Sequence, residues 1–542
     1  MNRYLIILFA LVIVTTISAQ EKKSINILRT NTAPKIDAIL DEEEWQNAEV
    51  ATDFIQFIPE MGVTLEPYQE TTVKMTYDDD AIYVSAYLKD RPEDIQKQLT
   101  SRDNFGNADF FGLILNPNND AQNDSEFFVF SSGAQADAVA TPSNGEDFGW
   151  SAVWDSAVKI VDDGWIVEMK IPYRALRFSN EAVQTWGIQF HRHFRINNSQ
   201  YTWNAIDRTK GNIGLYHGEL TGIKNIKPPT RLTFYPFISG VFTDFDGKTE
   251  SDFKVGLDLK YGVTENFTLD ATLIPDFSQA AFDNLTLNIG PFEQTFGEQR
   301  QFFKEGVDLF NKGNLFFSRR VGNAPTGTVI LGADEEVDNF PAEVKVLNAL
   351  KFSGRTKGGL GIGIFNAITE KTRARVKNMV TGETREKVVE PLANYNIIVV
   401  DQQFNGNSSV SIINTNVTRN GHFRDGNVTG LLADINNKRN TYNIQGQVKM
   451  SNVNLPENDN LETGLSTFFY IAKTHGKLRY SFNHSLANTN YDINDLGLNF
   501  RNNFNNFSAD ASYQIFEPTE KLNSFRINTW FNYNMLYKPS TY

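Results

Sequence analysis

The stretch Phe253-Lys254-Val255-Gly256-Leu257-Asp258-Leu259-Lys260-Tyr261-Gly262-Val263 decides the fold. Successive side chains of an extended strand point to opposite faces. Phe253, Val255, Leu257, Leu259, Tyr261 and Val263 therefore share one side, and Lys254, Gly256, Asp258, Lys260 and Gly262 the other. The same period of two returns in Phe267–Leu273, Tyr442–Met450, Leu478–Phe482, Phe507–Ile515 and Phe525–Tyr537. From Arg231 onward roughly fifteen such strands are predicted, many joined as hairpins. Leu347–Ser353 with Leu360–Asn366 is one, and Asn394–Gln402 with Ser409–Val417 another. Strands of about 9–11 residues suit a tilted crossing of a hydrocarbon layer, where free sheet edges are not tolerated. The expectation for 231–542 is a transmembrane antiparallel β-barrel in an all-β chain. The aromatic, charged stretch 291–343 breaks the rhythm and is expected as a plug-like loop. Natural single-chain barrels have even strand numbers. The odd count, and the closing turn Lys538-Pro539-Ser540-Thr541, predict that the sequence stops before the barrel closes.

Ahead of this region lie three others. Arg3, the apolar run Tyr4 to Val14 and the small-residue site Ile17-Ser18-Ala19 read as a signal peptide over 1–19. Residues 24–222 hold six of the seven tryptophans and short alternating strands at Thr71–Tyr77, Ala81–Leu88, Phe110–Leu115, Glu126–Phe130, Ala157–Val161, Trp165–Ile171 and Trp186–Phe194. That pattern predicts a β-sandwich. A helix is expected at Asp41–Ala48. Residues 223–230, with Lys227-Pro228-Pro229, form a stiff linker.

Composition narrows the function. The chain has 542 residues, a net charge of −14 and no cysteine. The acidity excludes a nucleic-acid partner, which needs a basic surface to neutralise phosphates. The lack of thiols excludes disulfides, thiolate metal sites and cysteine nucleophiles. No G-x-S-x-G elbow, H-E-x-x-H pair or P-loop is present. His191 and His193 share a strand face but lack a third zinc ligand.

Two sets of residues carry a family resemblance. The first runs through Ile36-Asp37-Ala38-Ile39-Leu40-Asp41 with Trp45, Tyr77-Asp78-Asp79-Asp80-Ala81-Ile82-Tyr83-Val84, Trp154-Asp155, Gly164-Trp165 with Glu168, Ile171-Pro172 and Trp186-Gly187. The second is denser: Val255 to Gly262, Asp270-Ala271-Thr272, Pro275-Asp276-Phe277-Ser278-Gln279, Phe292-Glu293, Glu298, Arg300, Phe302-Phe303, Glu305-Gly306 and Leu315 to Gly322. Together they resemble the Bacteroidetes-type outer-membrane proteins with an N-terminal family 9-like carbohydrate-binding domain and a C-terminal domain of unknown function 5916. Ala280-Ala281-Phe282-Asp283 departs from the family pattern, which carries acidic residues sooner. The resemblance implies an outer-membrane β-barrel, with the sandwich in the periplasm, that binds an unidentified glycan in carbohydrate uptake or catabolism. Its partners are then carbohydrate and outer-membrane lipid. The alternatives are a hydrolase acting on O-glycosyl bonds, and an architectural or secretion-linked barrel without sugar binding.

Sugars are gripped by flat aromatic faces and planar polar groups. Trp150, Trp154 and Trp203 sit beside turn-like polar sequence and are the stacking candidates, with Arg102 and Asp103 as a hydrogen-bonding fork. Trp165 and Trp186, inside apolar strands, read as core. No catalytic residue can be named, because 65 acidic residues always supply some pair of carboxylates. No cofactor is required. Calcium is a weak alternative at Asp78, Asp79 and Asp80, or at Asp37 with Asp41, since it takes carboxylates from irregular loops. In the plug-like stretch, Glu298, Arg300, Lys304, Glu305, Arg319 and Arg320 are expected to pair with one another or with the wall.

Overall fold

The turn Asp78-Asp79-Asp80 shows how local chemistry builds the first domain. The Asp78 carboxylate accepts the Asp80 and Ala81 amides at 2.8 Å each and the Tyr83 hydroxyl at 2.8 Å. This side-chain turn reverses the chain between strands Thr71–Tyr77 and Ala81–Lys89. A computed structural model describes residues 22–540, except 122, 142–144, 208–212, 230, 246–247, 265, 274–286, 291–292, 297, 299, 304–305, 308, 357, 406, 456–459, 516–520 and 523–524. The signal-peptide stretch 1–19 lies outside the described residues.

The first domain packs a six-stranded sheet on a nine-stranded one. The first is ordered 155–161, 164–172, 81–89, 71–77 and 28–29, with 50–51 also on 71–77. The second runs 24–26, 218–224, 183–194, 110–116, 124–130, 135–141 and 145–147, with 199–202 and 55–58 added beside 183–194. Strand 24–26 pairs in parallel with 218–224, so the two ends of the domain close on each other. Between the sheets lie Trp165, Trp186, Phe111, Phe127, Phe190 and their neighbours, all buried. Each such side chain contributes roughly 1.5–3 kcal/mol by leaving water.

Two buried charges stitch this core. Arg192 reaches across to the six-stranded sheet and donates to the Gln69 carbonyl (2.7 Å), the Thr71 hydroxyl (2.6 Å) and the Lys89 carbonyl (2.6 Å), with Asp90 at 3.5 Å. Glu168 accepts the Asp37 and Ala38 amides (2.9 and 2.7 Å) and the Trp45 indole (3.0 Å). That carboxylate anchors the entry loop and the short helix Glu43–Asn47 on the sheet.

The second domain is one antiparallel sheet of thirteen strands. Their order is sequential: 232–245, 248–262, 267–273, 346–355, 360–369, 393–404, 408–419, 425–436, 442–455, 460–473, 478–487, 504–515 and 525–535. A separate sheet joins 335–339, 372–378 and 384–390. Its strand 335–339 lies within the stretch 291–343 expected as a plug-like loop.

The expected transmembrane barrel is overturned. Strands 232–245 and 525–535 are the two ends of the sheet and do not pair with each other, so it is open. Alternation fixes which side chains share a face and which neighbours pair. Closure depends instead on strand number, tilt and shear, which no single strand encodes. The outer-membrane placement expected from a closed barrel loses its support with it. No helix of the described residues is long and apolar enough to cross a membrane.

The two faces of the sheet differ. Toward the inside, Phe303, Leu309, Phe310, Leu315 and Val321 from 293–323 pack on Phe365, Ala367, Ile397, Val399, Ile413 and Val428. On the outer face Ile238, Phe253, Val255, Ile398, Leu431 and Phe531 are exposed. The apolar side of the deciding stretch therefore faces outward and is no part of a core.

Candidate functional site

The outward face of the nine-stranded sheet is set by the same alternation. Along 183–194, Trp186, Ile188 and Phe190 enter the core, which turns Gln189 and His191 to the other side. Along 124–130, Phe127 and Val129 face inward, which turns Asp124 and Glu126 out. This face covers one end of the large sheet, and a cavity of about 860 Å³ remains between them. The sandwich wall presents Phe57, Glu126, Glu146, Gln200, Thr202 and His217; the floor is Gly306, Leu309 and Lys312. Asn407, Asp434, Asn436, Asn443 and Gln445 complete the opposite wall.

The polar atoms of this cavity fall into two groups. Some are engaged. On the large-sheet side Asn443 donates to Asp434 (2.5 Å) and to Asn436 (3.0 Å), Asn436 donates to the Asn407 carbonyl (2.7 Å), and Asn407 donates to Asn440 (2.6 Å). Asp401 binds Arg355 at 2.6 Å and Lys312 at 3.2 Å, so the two cations beside the floor share one carboxylate. On the sandwich side His191 shares a hydrogen bond with Gln200 (3.1 Å), and Phe57 meets the His191 ring edge-on at 5.4 Å.

Others have no partner. Glu126 Oε2 is buried without a hydrogen bond among the described residues, as is Nδ1 of His217, whose Nε2 lies 2.9 Å from Asp124. An unmade hydrogen bond at a buried group costs roughly 1–3 kcal/mol, so such atoms mark a place where a ligand or water belongs. Burial first, then the nearby charges of Glu146 and Asp124, hold the Glu126 carboxyl well above the usual range. Burial also raises Glu146. His191 is pushed down to about 3 by burial and by its neighbour His193, and remains neutral.

The residues singled out from the sequence lie elsewhere. Arg102, Asp103 and Trp154 do come together, around a fully buried carboxylate, Asp137. Arg102 pairs with it, the Trp154 indole donates to it at 2.9 Å, and Asp103 accepts its amide at 3.1 Å. Trp154 and Trp203 are buried in the core, and Trp150 packs half-buried against it. Asp78 is occupied by its own turn and Asp79 pairs with Arg29. Asp37 holds Lys35 at 2.6 Å. Among the described residues no group of three or more histidine or acidic side chains could hold a metal ion.

In the loop, Glu298 pairs with Arg300 (2.8 Å) and accepts from Ser318; Arg320 pairs with Glu293 (2.8 Å) and donates to the Gly497 carbonyl. Arg319 lies over the Phe296 ring. Lys304 and Glu305 fall outside the described residues. Of the cavity residues the sequence singled out His191, for another role, and Glu126 left a trace: it is a carboxylate inside Glu126-Phe127-Phe128-Val129-Phe130.

The model of the family described as "Domain of unknown function (DUF5916)" matches residues 228–542, more than half of the chain. The chain belongs to the DUF5916 family. Residues 36–215 of this DUF5916 protein match a second model, "Carbohydrate family 9 binding domain-like". No curated protein matches it. Among solved structures it is similar to a Bacteroides uniformis protein carrying an unproven carbohydrate-binding description, with 12% identity, 37% of this chain and 99% of that one covered, and a TM-score of 0.30. It is also similar to a loop L8 deletion mutant of the outer membrane protein OmpT of Vibrio cholerae (9% identity, 78% and 98% covered, TM-score 0.24). OccAB2 of Acinetobacter baumannii is a third (8% identity, 78% and 79% covered, TM-score 0.24). All three are distant likenesses. The resemblance drawn from the sequence thus holds for the two domains. The outer-membrane barrel expected with them does not follow, since the sheet of the second domain is open.

Proposed function

We propose that this DUF5916 protein is a carbohydrate-binding protein whose sugar lies on the outward face of the nine-stranded sheet. The observation that carries the reading is the unpartnered Glu126 Oε2, buried in the wall of a cavity rich in hydroxyls and amides. The match of residues 36–215 to a carbohydrate-binding model supports it. A sugar offers hydroxyls that both donate and accept, and a C–H surface that rests on an aromatic edge. A protonated carboxyl at Glu126, the Gln200 amide, the Thr202 hydroxyl and the Phe57 ring supply those complements without a net charge.

Isothermal titration of the full chain against neutral disaccharides (cellobiose, maltose, lactose, xylobiose) tests the reading. Binding to at least one is expected, weakened about five- to tenfold by Gln200→Ala, the loss typical of one hydrogen bond. Absence of heat with every sugar, from a chain that melts cooperatively, would remove the carbohydrate claim.

A further inference from the structure

The large-sheet wall of the cavity has no counterpart in a free-standing sugar module. Across from Glu126 and Gln200, Asp434 takes a hydrogen bond from Asn443 at 2.5 Å and one from Gln445 at 3.4 Å, and Asn436 is held by Asn443 at 3.0 Å. These planar groups come from strands Asp425–Asn436 and Tyr442–Leu455, directly paired as Asp434 with Gln445 and Asn436 with Asn443. The pairing places all four on the inner face in one patch, each braced by the next, so little side-chain entropy remains to be lost on binding. Amide and carboxylate groups fixed in a plane suit the paired hydroxyls of a sugar ring better than they suit an apolar ligand, whose burial would strand them.

We infer that the cavity is one carbohydrate site with two walls, in which Asp434, Asn436, Asn443 and Gln445 of the DUF5916 domain grip the same neutral oligosaccharide as the sandwich. The inference rests on the proposed sugar-binding reading and adds the second domain to it. Charge bears on the ligand class. Lys312 and Arg355, beside the floor, share Asp401, and Arg177 is the third cation of the lining, while Asp124, Glu126, Glu146 and Asp434 all face the cavity. An acidic sugar therefore meets more carboxyls than cations. Enclosure between two domains also means that a bound sugar holds them together.

The test uses the full chain and whichever neutral disaccharide binds best, with digalacturonate as the anionic control. Gln445→Ala and Asp434→Asn remove groups of the large-sheet wall; Gln200→Ala removes one of the sandwich wall. All three are expected to raise Kd about five- to tenfold, and sugar is expected to slow hydrogen exchange in both 199–202 and 442–455. Digalacturonate is expected to bind at least tenfold more weakly. If Gln200→Ala weakens binding while both large-sheet variants leave Kd within twofold and exchange in 442–455 is unchanged, the second wall is wrong and the sandwich site stands. If no sugar binds the parent chain, the carbohydrate reading itself falls. Asp434→Asn keeps the side-chain shape, so a folding failure of Gln445→Ala does not remove the test.

Discussion

The two domains obey the same rule of alternation and use it in opposite ways. In the sandwich, one face of each sheet meets the other sheet, and the apolar positions are sealed: Trp165 is 0% exposed. In the large sheet many apolar alternate positions turn outward, and Ile238 is 80% exposed. The interior is instead filled by a loop, ion pairs and amides. A period of two therefore reports that a strand has two different faces. It is silent on which of them meets protein. The open sheet is the consequence: pairing runs from neighbour to neighbour, and nothing in the alternation brings strand 232–245 to strand 525–535.

The largest effects should come from buried charge and bulk. Arg192→Ala in the sandwich strands Asp90 and three backbone or hydroxyl acceptors. Arg419→Ala in the large sheet strands Glu390, which it holds at 2.8 Å, and leaves Asp495 with Arg424 alone. Each is expected to cost about 3–5 kcal/mol, since an unpaired charge stays behind in a dry place. Trp165→Ala should cost a similar amount, about 3–5 kcal/mol, through its cavity. The readouts separate the domains. Six of the seven tryptophans lie in 24–222, so fluorescence during urea unfolding follows mainly the sandwich. Hydrogen exchange in 408–419 follows the large sheet. If Arg192→Ala loosened 408–419 as much as 183–194, the domains would be one cooperative unit and the comparison would break.

Acidity sharpens the contrast at intermediate size. In the sandwich, burial pushes the Asp109 carboxyl up to about 7 from an ordinary 3.8. A raised acid binds more protons folded than unfolded, so its stabilisation is complete below pH 4 and lost as pH rises through about 7. In the large sheet, Asp401 is also buried, but Lys312, Ser411 and Arg355 overcome that burial and hold it below 3.8. Its contribution is present above 3.8 and lost only in stronger acid. Neutral His191 and His193, pushed down to about 3 and about 4 mainly by burial, add an acid-side loss to the sandwich that starts below 6.5. Asp109→Asn keeps an acceptor for the Arg195 amide, which bonds Asp109 at 2.7 Å. It should raise sandwich stability at pH 8 by on the order of 2–4 kcal/mol and leave it unchanged near pH 4. Equal gains at both values would show that ionisation of Asp109 is not the cause.

Much of the strand layout was legible because hairpin chemistry is local. Thr71–Tyr77 and Phe267–Leu273 run where the alternation predicts, and the helix expected at Asp41–Ala48 forms at Glu43–Asn47. The cavity was not legible, because its walls are more than two hundred residues apart. Glu126 and Asn443 meet only after two sheets have formed and docked. Nor could sequence tell a stacking tryptophan from a core one: Trp154 sits beside Asp155 in polar-looking sequence, yet its ring is buried and its indole satisfies Asp137. That requirement for a partner comes from the opposite strand and leaves no mark beside the tryptophan.

The smallest expected effect probes the outer face. Phe531 lies in strand Phe525–Met535, at the sheet's end, paired on one side only, opposite Ala509, and is 62% exposed. A ring with most of its surface in water has little burial to lose. Phe531→Ser should therefore change stability by no more than about 0.5 kcal/mol, the range of ordinary surface substitutions. Ile238→Ser, at the opposite end of the sheet and 80% exposed, should behave alike. The measurement is hydrogen exchange in 504–515 and 248–262, the strands next to each edge. A contiguous apolar face of this extent ordinarily meets another surface. A loss above about 2 kcal/mol at either position would mean that the face is covered in solution. The outward phenylalanine would then be doing the work that Trp165 does inside the sandwich, and the difference between the domains would lie in what each face packs against.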